Sequence, residues 1–379
     1  MRKKLLLYFH DGKSVYDDFF LKFLTEHFDV HFATFSKSGA ERIGRNDAVK
    51  VHLLRELPLE LPVHDTIRGL AMTPFRVPIF GLTVKTISPD VLVACWATTY
   101  GFYAHASRSG AYALMGWGSD ILLQPNYLPL KALATGALKG ATKVFLDSDV
   151  QELAAIHLGC NRGAIIKFPW VNLSWLTVLH VDKETFRRGL GIGSDDKIVI
   201  FNRRHDPVYD PGTFVDAAAE VLANHPKVFF LMAGQGRLSL ELKEKVRRRA
   251  LGDRFKFLGW VEKFKLAEYV GASDIYASTS LSDGTSASLL EAMALGVVPV
   301  VTRISGNREW VSDGVNGLLF DKKDVHGLAA SISRLLDDEA FRKSVGVEAR
   351  KTVMARADWK VSSRSFLAGL RAVEEIRKR

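Results

Sequence analysis

The sequence predicts an α/β protein built from two parallel-sheet halves, and three observations carry that expectation. Short β-rich runs alternate with amphipathic helical stretches along the chain, the pattern of helices layered on parallel strands. The 379 residues suffice for two domains with a full core each. The alternation also restarts at residue 197, after a junction (168–196) that carries Pro169, Gly189, Gly191 and Gly193 and reads as an inter-domain linker. Two such halves form a cleft, where a ligand would sit outside the carboxyl ends of the strands.

In the first half, LLLYF (5–9) reads as a strand and DDFFLKFLTEHF (17–28) as a helix, with Phe20, Leu21, Phe23 and Leu24 near helical spacing. VHFATF (30–35) alternates as a strand, and VLVACW (91–96), AYALMG (111–116) and KVFLDS (143–148) follow as strands. A polar, proline-dotted stretch from about 36 to 88 interrupts the rhythm. Within it, residues 68–87 mix apolar and basic side chains, as in a helix packed on the core or, alternatively, a lipid-facing surface. In the second half the strands are 197–202, 227–234, 254–259, 274–280 and 297–302. Helices are expected at 211–226, 237–251, 261–273 and 286–296, before a closing helical tail.

Composition removes several function classes. With 47% hydrophobic and 25% charged residues, the chain is neither disordered nor collagen-like, and Cys95 and Cys160 alone make free thiols the expectation, not a disulfide scaffold. No apolar run approaches the roughly 18–20 residues of a membrane span. The apolar run behind the basic start ends at Phe9, which suits a first strand better than a secretory signal. The expected location is cytoplasmic, with peripheral contact on the inner, anionic face of the membrane. That contact rests on the net charge of +10 and on the 68–87 segment. The basic run at 243–254 follows a helical pattern with Leu240, Leu242 and Val246, so it reads as a solvated helix face, and no nucleic-acid partner is expected.

The most informative segment is 278–320. A strand ends near Ser278–Ser280, a loop carries Asp283 and Gly284, and a helix starts near Thr285–Ser286 and stops at Gly296. Such a turn aims unpaired backbone amides and the positive helix end at a phosphate. Asp283 and Glu291, eight residues apart, can accept hydrogen bonds from sugar or ribose hydroxyls. On spacing alone the plainer reading prevails: Asp283 caps the helix and Glu291 faces solvent.

The run DGTSASLLEAMALGVVPVVT, followed by SGNREWVSDGVNGLLF, resembles the donor-binding region of glycosyltransferase family 4, the retaining "group 1" enzymes of GT-B architecture. Their pattern is acidic–x7–Glu, then EAMA-x-G-x-PVV, then G-x-x-E. FNRRHDPVYDPGTFVDA is similar to the family's arginine-bearing first loop, LMAGQGRL to its G-x-G turn, and GWGSDIL (116–122) to its H-G-x-D turn. The resemblance implies two Rossmann-like domains facing across a cleft: an acceptor-binding domain over 1–175 and a nucleotide-sugar-binding domain over 176–360. A C-terminal helix (361–379) would pack back on the first domain.

It also implies residue roles. Asp283 would bond donor-sugar hydroxyls and Glu291 the ribose. The backbone of Gly284, Thr285 and Ser286 would approach sugar and phosphates. Arg204 would neutralise the diphosphate, stabilising the charge that develops as the glycosidic bond breaks. Arg203, Gly234 and Gly236 join the donor-binding set, and Gly306 and Glu309 fall on the later G-x-x-E. The implied activity is retaining transfer of a hexose from a UDP- or GDP-linked sugar to a hydroxyl of a glycan or lipid-linked acceptor. The mechanism is front-face, with no cofactor and no metal ion. The alternative is an inactive sugar-nucleotide-binding or scaffold subunit of a glycan-assembly complex. It is motivated by departures from the family pattern: Tyr209 where a lysine is usual, and Val93–Trp96 and Trp117 where histidines are usual. Trp96, Tyr100 and Trp117 read equally as acceptor-stacking or core aromatics. Asp147-Ser148-Asp149 has the form of a metal-binding D-x-D motif but reads as a helix cap.

Overall fold

Val91–Cys95 shows no polar alternation, which suits a strand covered on both faces. The computed structural model describes residues 3–55, 65–177, 179, 181–193 and 195–378. It divides into two units, Met1–Phe168 with Ser363–Arg379, and Pro169–Ser362.

The first unit holds a seven-stranded parallel sheet. Its strands are β1 (Lys4–Phe9), β2 (Phe28–Thr34), β3 (Val49–Leu53), β4 (Val91–Cys95), β5 (Ala113–Met115), β6 (Lys143–Leu146) and β7 (Ile165–Lys167). They run in the order β3-β2-β1-β4-β5-β6-β7, so the direction of winding reverses between β1 and β4. Leu6 is registered with Val30 on one side and Val91 on the other. The helix Val15–His27 starts at a capping box in which Ser14 and Asp17 satisfy each other's turn. Strand β3 falls inside the stretch read as irregular, and β7 was not anticipated. The side chains of residues 56–69 lie outside the described residues, including the start of the 68–87 segment. That segment belongs to a helix, Asp65–Ile87, which buries Met72, Phe80 and Val84 and exposes Pro74, Phe75, Pro78 and Leu82.

The second unit has a six-stranded parallel sheet of β8 (Lys197–Phe201), β9 (Val228–Ala233), β10 (Phe255–Gly259), β11 (Ile275–Ser278), β12 (Val298–Thr302) and β13 (Leu318–Phe320). Their order is β10-β9-β8-β11-β12-β13, with the reversal between β8 and β11. Alternate residues feed opposite faces: Ile198 and Ile200 join one apolar core, Val199 and Phe201 the other. Both faces are therefore covered, which is why these strands read as unbroken apolar runs. In the expected linker, residues 178, 180 and 194 lie outside the described residues.

The last helix, Trp359–Arg377, begins in the second unit and ends in the first. Phe366, Leu370 and Val373, spaced four and three apart, are fully buried. Phe366 packs on Phe20, Phe145 and Phe168 with ring centroids 5.4, 4.7 and 5.7 Å away. At the far end Arg377 donates to the carbonyls of Pro89, Ser109 and Ala111. The crossing C-terminal helix is thus present. Cys95 and Cys160 are buried free thiols. No helix among the described residues is long and apolar enough to cross a membrane.

Candidate active site

Strands β8 and β11 are neighbours across the reversal of the second sheet, and the loops leaving their carboxyl ends meet. Ligands of open α/β sheets bind at such points. Arg203, two residues beyond β8, is mostly buried and reaches the loop after β11. Its guanidinium donates to Ser286 Oγ (2.8 Å) and Ser288 Oγ (2.7 Å) and pairs with the Asp283 carboxylate. The Tyr209 ring lies beneath it, 4.4 Å from the guanidinium carbon. Ser288 Oγ also accepts from the buried Tyr276 hydroxyl at 3.2 Å. Burial pushes the Asp283 carboxyl above its usual range, while the Arg203 charge and the Gly284 amide oppose the shift.

The G-x-G turn supports this loop from below. Gly234 has φ +115°, and a Cβ there would stand 2.6 Å from the Arg203 carbonyl; one at Gly236 would stand 2.5 Å from that of His205. Only glycine lets the two backbones approach so closely. Gly306 repeats the device, since its Cβ would lie 2.2 Å from the Gly284 carbonyl. The G-x-x-E glycine therefore fits the helix Ser305–Arg308 against the Asp283–Gly284 loop, and Glu309 follows directly.

The helix after the loop is Ala287–Ala294, and its cap is Ser286, whose Oγ accepts from the Leu289 amide at 3.4 Å. Asp283 as the cap is thereby corrected: its carboxylate faces Arg203, three residues ahead of the capping position. The amides of the first helical turn lack intrahelical partners and suit an anion. Thr285 Oγ1 accepts from Trp310 Nε1 at 3.3 Å. Glu291 is corrected from solvent-facing to half-buried. Its carboxylate has no hydrogen-bond partner among the described residues, and burial pushes it up to about 7, with Lys263 pulling the other way. Arg204 stands apart: its side chain is 73% exposed and pairs with Asp206 at 2.9 Å.

In the first unit, Asp120 of the GWGSD turn is wholly buried. It accepts from the amides of Trp117 (2.8 Å) and Ala97 (2.7 Å), tying that turn to the end of β4, and burial raises its carboxyl to about 6. Tyr100 is buried within a single π-helical turn, Trp96–Gly101, whereas Trp96 and Trp117 are half-buried. The D-x-D cap reading is corrected in part: Ser148 occupies the N-cap without a capping side-chain bond, and Asp149 pairs with Lys167. A shallow recess lined by Lys3, Thr25, Phe28, Asp29 and Ala48 lies at the opposite, amino-terminal edge of that sheet. The sequence reading missed Tyr276 and Ser288, which carry no motif signal, and the stacking role of Tyr209.

Residues 182–352 match the family model described as "Glycosyl transferases group 1". Residues 5–148 match the one described as "Glycosyl transferase 4-like". The chain belongs to the group 1 glycosyltransferases.

This group 1 glycosyltransferase is 30% identical over 230 residues to a D-inositol 3-phosphate glycosyltransferase of Geodermatophilus obscurus, 58% of its own chain and 50% of the relative. Over 189 residues it is 29% identical to the GDP-mannose-dependent monoacylated alpha-(1-6)-phosphatidylinositol monomannoside mannosyltransferase of Corynebacterium glutamicum, covering 48% of each. The chain spans about half the length of the curated relatives it matches. Its backbone follows that of Anabaena HepE, solved with UDP, with a TM-score of 0.79 at 19% identity over 97% of this chain and 100% of that one. For the sucrose-phosphate synthase of Thermosynechococcus elongatus the score is 0.81 at 18% identity, over 97% and 98%. The fold of this group 1 glycosyltransferase is accordingly GT-B, with two Rossmann-like domains.

Proposed function

We propose that the chain is a retaining glycosyltransferase. It moves a hexose from a UDP- or GDP-linked sugar to a hydroxyl of a glycan or lipid-linked acceptor, by a metal-independent front-face mechanism. The observation that carries this reading is the Arg203–Asp283–Ser286–Ser288 knot at the start of a helix whose second turn presents Glu291, half-buried and without a hydrogen-bond partner among the described residues. HepE solved with UDP-glucose and the corynebacterial relative named for GDP-mannose support a nucleotide-sugar donor. In this reading Arg203 has both terminal nitrogens engaged, by Ser286, Ser288 and Asp283, and orders the loop. Arg204, whose side chain is 73% exposed, is the guanidinium offered to the leaving diphosphate. Asp283 and the backbone of Gly284, Thr285 and Ser286 receive the sugar and phosphates, and Glu291 receives the ribose hydroxyls. The leaving phosphate takes the acceptor proton, so no protein nucleophile is needed.

Titration calorimetry with UDP, GDP and ADP should show one of the first two binding best. Transfer from the matching donor to a crude glycolipid extract should persist in EDTA. Binding without turnover would favour a sugar-nucleotide-binding subunit, and no binding by any nucleotide would overturn the donor assignment.

Peripheral membrane contact belongs to the same proposal. The exposed stripe Pro74, Phe75, Pro78 and Leu82, followed by Lys85, is its apolar and basic face. Co-sedimentation with vesicles containing phosphatidylglycerol should be strongest at low salt and weaken in Leu82→Asp. Equal recovery with and without vesicles would count against it.

A further inference from the structure

The carboxyl edge of the first sheet carries a polar pair that the donor reading leaves unused. His10 directly follows β1 and is 4% exposed. Its Nδ1 lies 2.6 Å from Oδ1 of Asp17, a wholly buried carboxylate. The Tyr8 hydroxyl approaches the same oxygen at 3.5 Å, and Oδ2 takes the Ser14 amide (3.1 Å) and the Arg42 guanidinium (3.5 Å). A carboxylate held this way receives the Nδ1 proton and fixes the tautomer in which Nε2 keeps its lone pair. Nε2 has no hydrogen-bond partner among the described residues. The imidazole lies flat on Trp117, centroids 4.5 Å apart and planes 11° from parallel, which locks its orientation. His10, Asp11 and Asp17 lie close enough for a metal ion on distance alone. Arg42 already supplies positive charge there and both Asp17 oxygens are taken, so the cluster is a hydrogen-bonded pair.

Besides Trp117, the Tyr100 ring meets the imidazole edge-on with centroids 6.5 Å apart. Tyr16 meets Trp117 edge-on at 5.9 Å. Trp96, first residue after β4, has φ +70°, a left-handed conformation that is strained for a bulky residue and collects at functional sites. Its indole Nε1 donates to Gln124 at 3.1 Å. β1 and β4 flank the reversal of their sheet, the position held in the other unit by β8 and β11.

We propose that this edge is a subsite for an uncharged sugar ring, in which His10 Nε2 accepts a hydrogen bond from one ring hydroxyl and Trp96 and Trp117 pack against the ring's C–H face. Asp17 is the positioning residue that sets the tautomer. An anionic group would meet Asp11, whose Oδ1 lies 3.6 Å from Nδ1, and would find Arg42 held by Asp18, Asp17 and the carbonyls of Gly12 and Ser14. The subsite rests on the glycosyl-transfer reading, since the ring would be the acceptor's.

The test uses the full chain and two probe sets: methyl glycosides of glucose, galactose and mannose, and the 6-phosphates of the same sugars. Tryptophan fluorescence should report binding of at least one methyl glycoside. His10→Phe keeps the stacking on Trp117 but removes Nε2, and Asp17→Asn releases the tautomer. Each should weaken glycoside binding about tenfold or more, the loss of one well-placed hydrogen bond. His10→Gln, which restores an acceptor oxygen, should recover part of it. The 15N signal of His10 should show protonated Nδ1 in the wild type and a mixture in Asp17→Asn. UDP and GDP affinities should be the same in every variant. Glycoside binding without nucleotide binding would sink the transferase reading and leave the subsite standing. No glycoside binding by the wild type, equal binding by all variants, or preference for the phosphorylated sugars would overturn the subsite.

Discussion

Glu291→Gln is expected to weaken nucleotide binding at least about tenfold and yet to stabilise the free protein above pH 7. The two effects share one cause. In the folded chain the carboxyl is pushed to about 7, against an ordinary value of 4.5, because burial disfavours its charge, the Lys263 charge only partly opposes this, and no group among the described residues donates to it. Between those values the folded protein holds a proton that the unfolded chain has released. Stability therefore falls as pH rises through that window, and above about 7 the full penalty stands. The shift corresponds to roughly 3 kcal/mol as an upper bound. A glutamine carries no charge, so the variant should melt several degrees higher than wild type at pH 8 and within a degree or so of it at pH 5. The same substitution removes a charged acceptor for ribose hydroxyls, and about 1.4 kcal/mol is a factor of ten. Because those hydroxyls favour the ionised form, nucleotide binding to wild type near pH 6.5 should release protons, visible as a buffer-dependent calorimetric heat. An equal melting difference at both pH values would show that Glu291 carries no such penalty.

Arg203→Ala and Arg204→Ala should separate architecture from chemistry. Removing Arg203 strands the Asp283 carboxylate in a mostly buried site and takes donors from Ser286 and Ser288. Breaking such a pair from one side costs about 3–5 kcal/mol, enough to drop the melting temperature of the second unit markedly. Arg204 is solvent-exposed and its pair with Asp206 is screened, so its removal should change stability by about 0.5 kcal/mol or less. Turnover should nonetheless fall roughly 100-fold, as when one electrostatic partner of a developing charge is lost. Denaturant midpoints and steady-state rates on both variants decide the matter. A wild-type midpoint for Arg203→Ala, or undiminished turnover for Arg204→Ala, would reverse the roles.

The strands that form the sheet centres were legible in the sequence because they are apolar runs without alternation, bounded by turns. The short strands β3, β7 and β13 were not. Each runs along an edge or next to one, and three to five residues are too few to show a period. The donor loop was legible as a motif, but its cap was misplaced: Asp283 and Ser286 are both good capping residues, and only the Arg203 side chain, 80 residues earlier, decides between them. Which of two adjacent arginines turns inward was equally invisible, because successive side chains leaving a strand point opposite ways. The His10–Asp17 pair depends on the end of β1 and the first turn of a helix folding onto one point. Read along the chain, Asp17 is only an acidic residue near a helix start.

The helix Trp359–Arg377 also sets an order of assembly during synthesis. The second unit is one continuous stretch, residues 169–362, and can close on itself as soon as it leaves the ribosome. The first unit cannot. Its sheet emerges earliest, but the apolar surface around Phe20, Phe145 and Phe168 stays uncovered until residues 363–379 arrive, after the whole second unit has been made. The half translated first is thus the half finished last, and a nascent chain halted before Phe366 presents chaperones with an aromatic face that nothing later in the chain can cover.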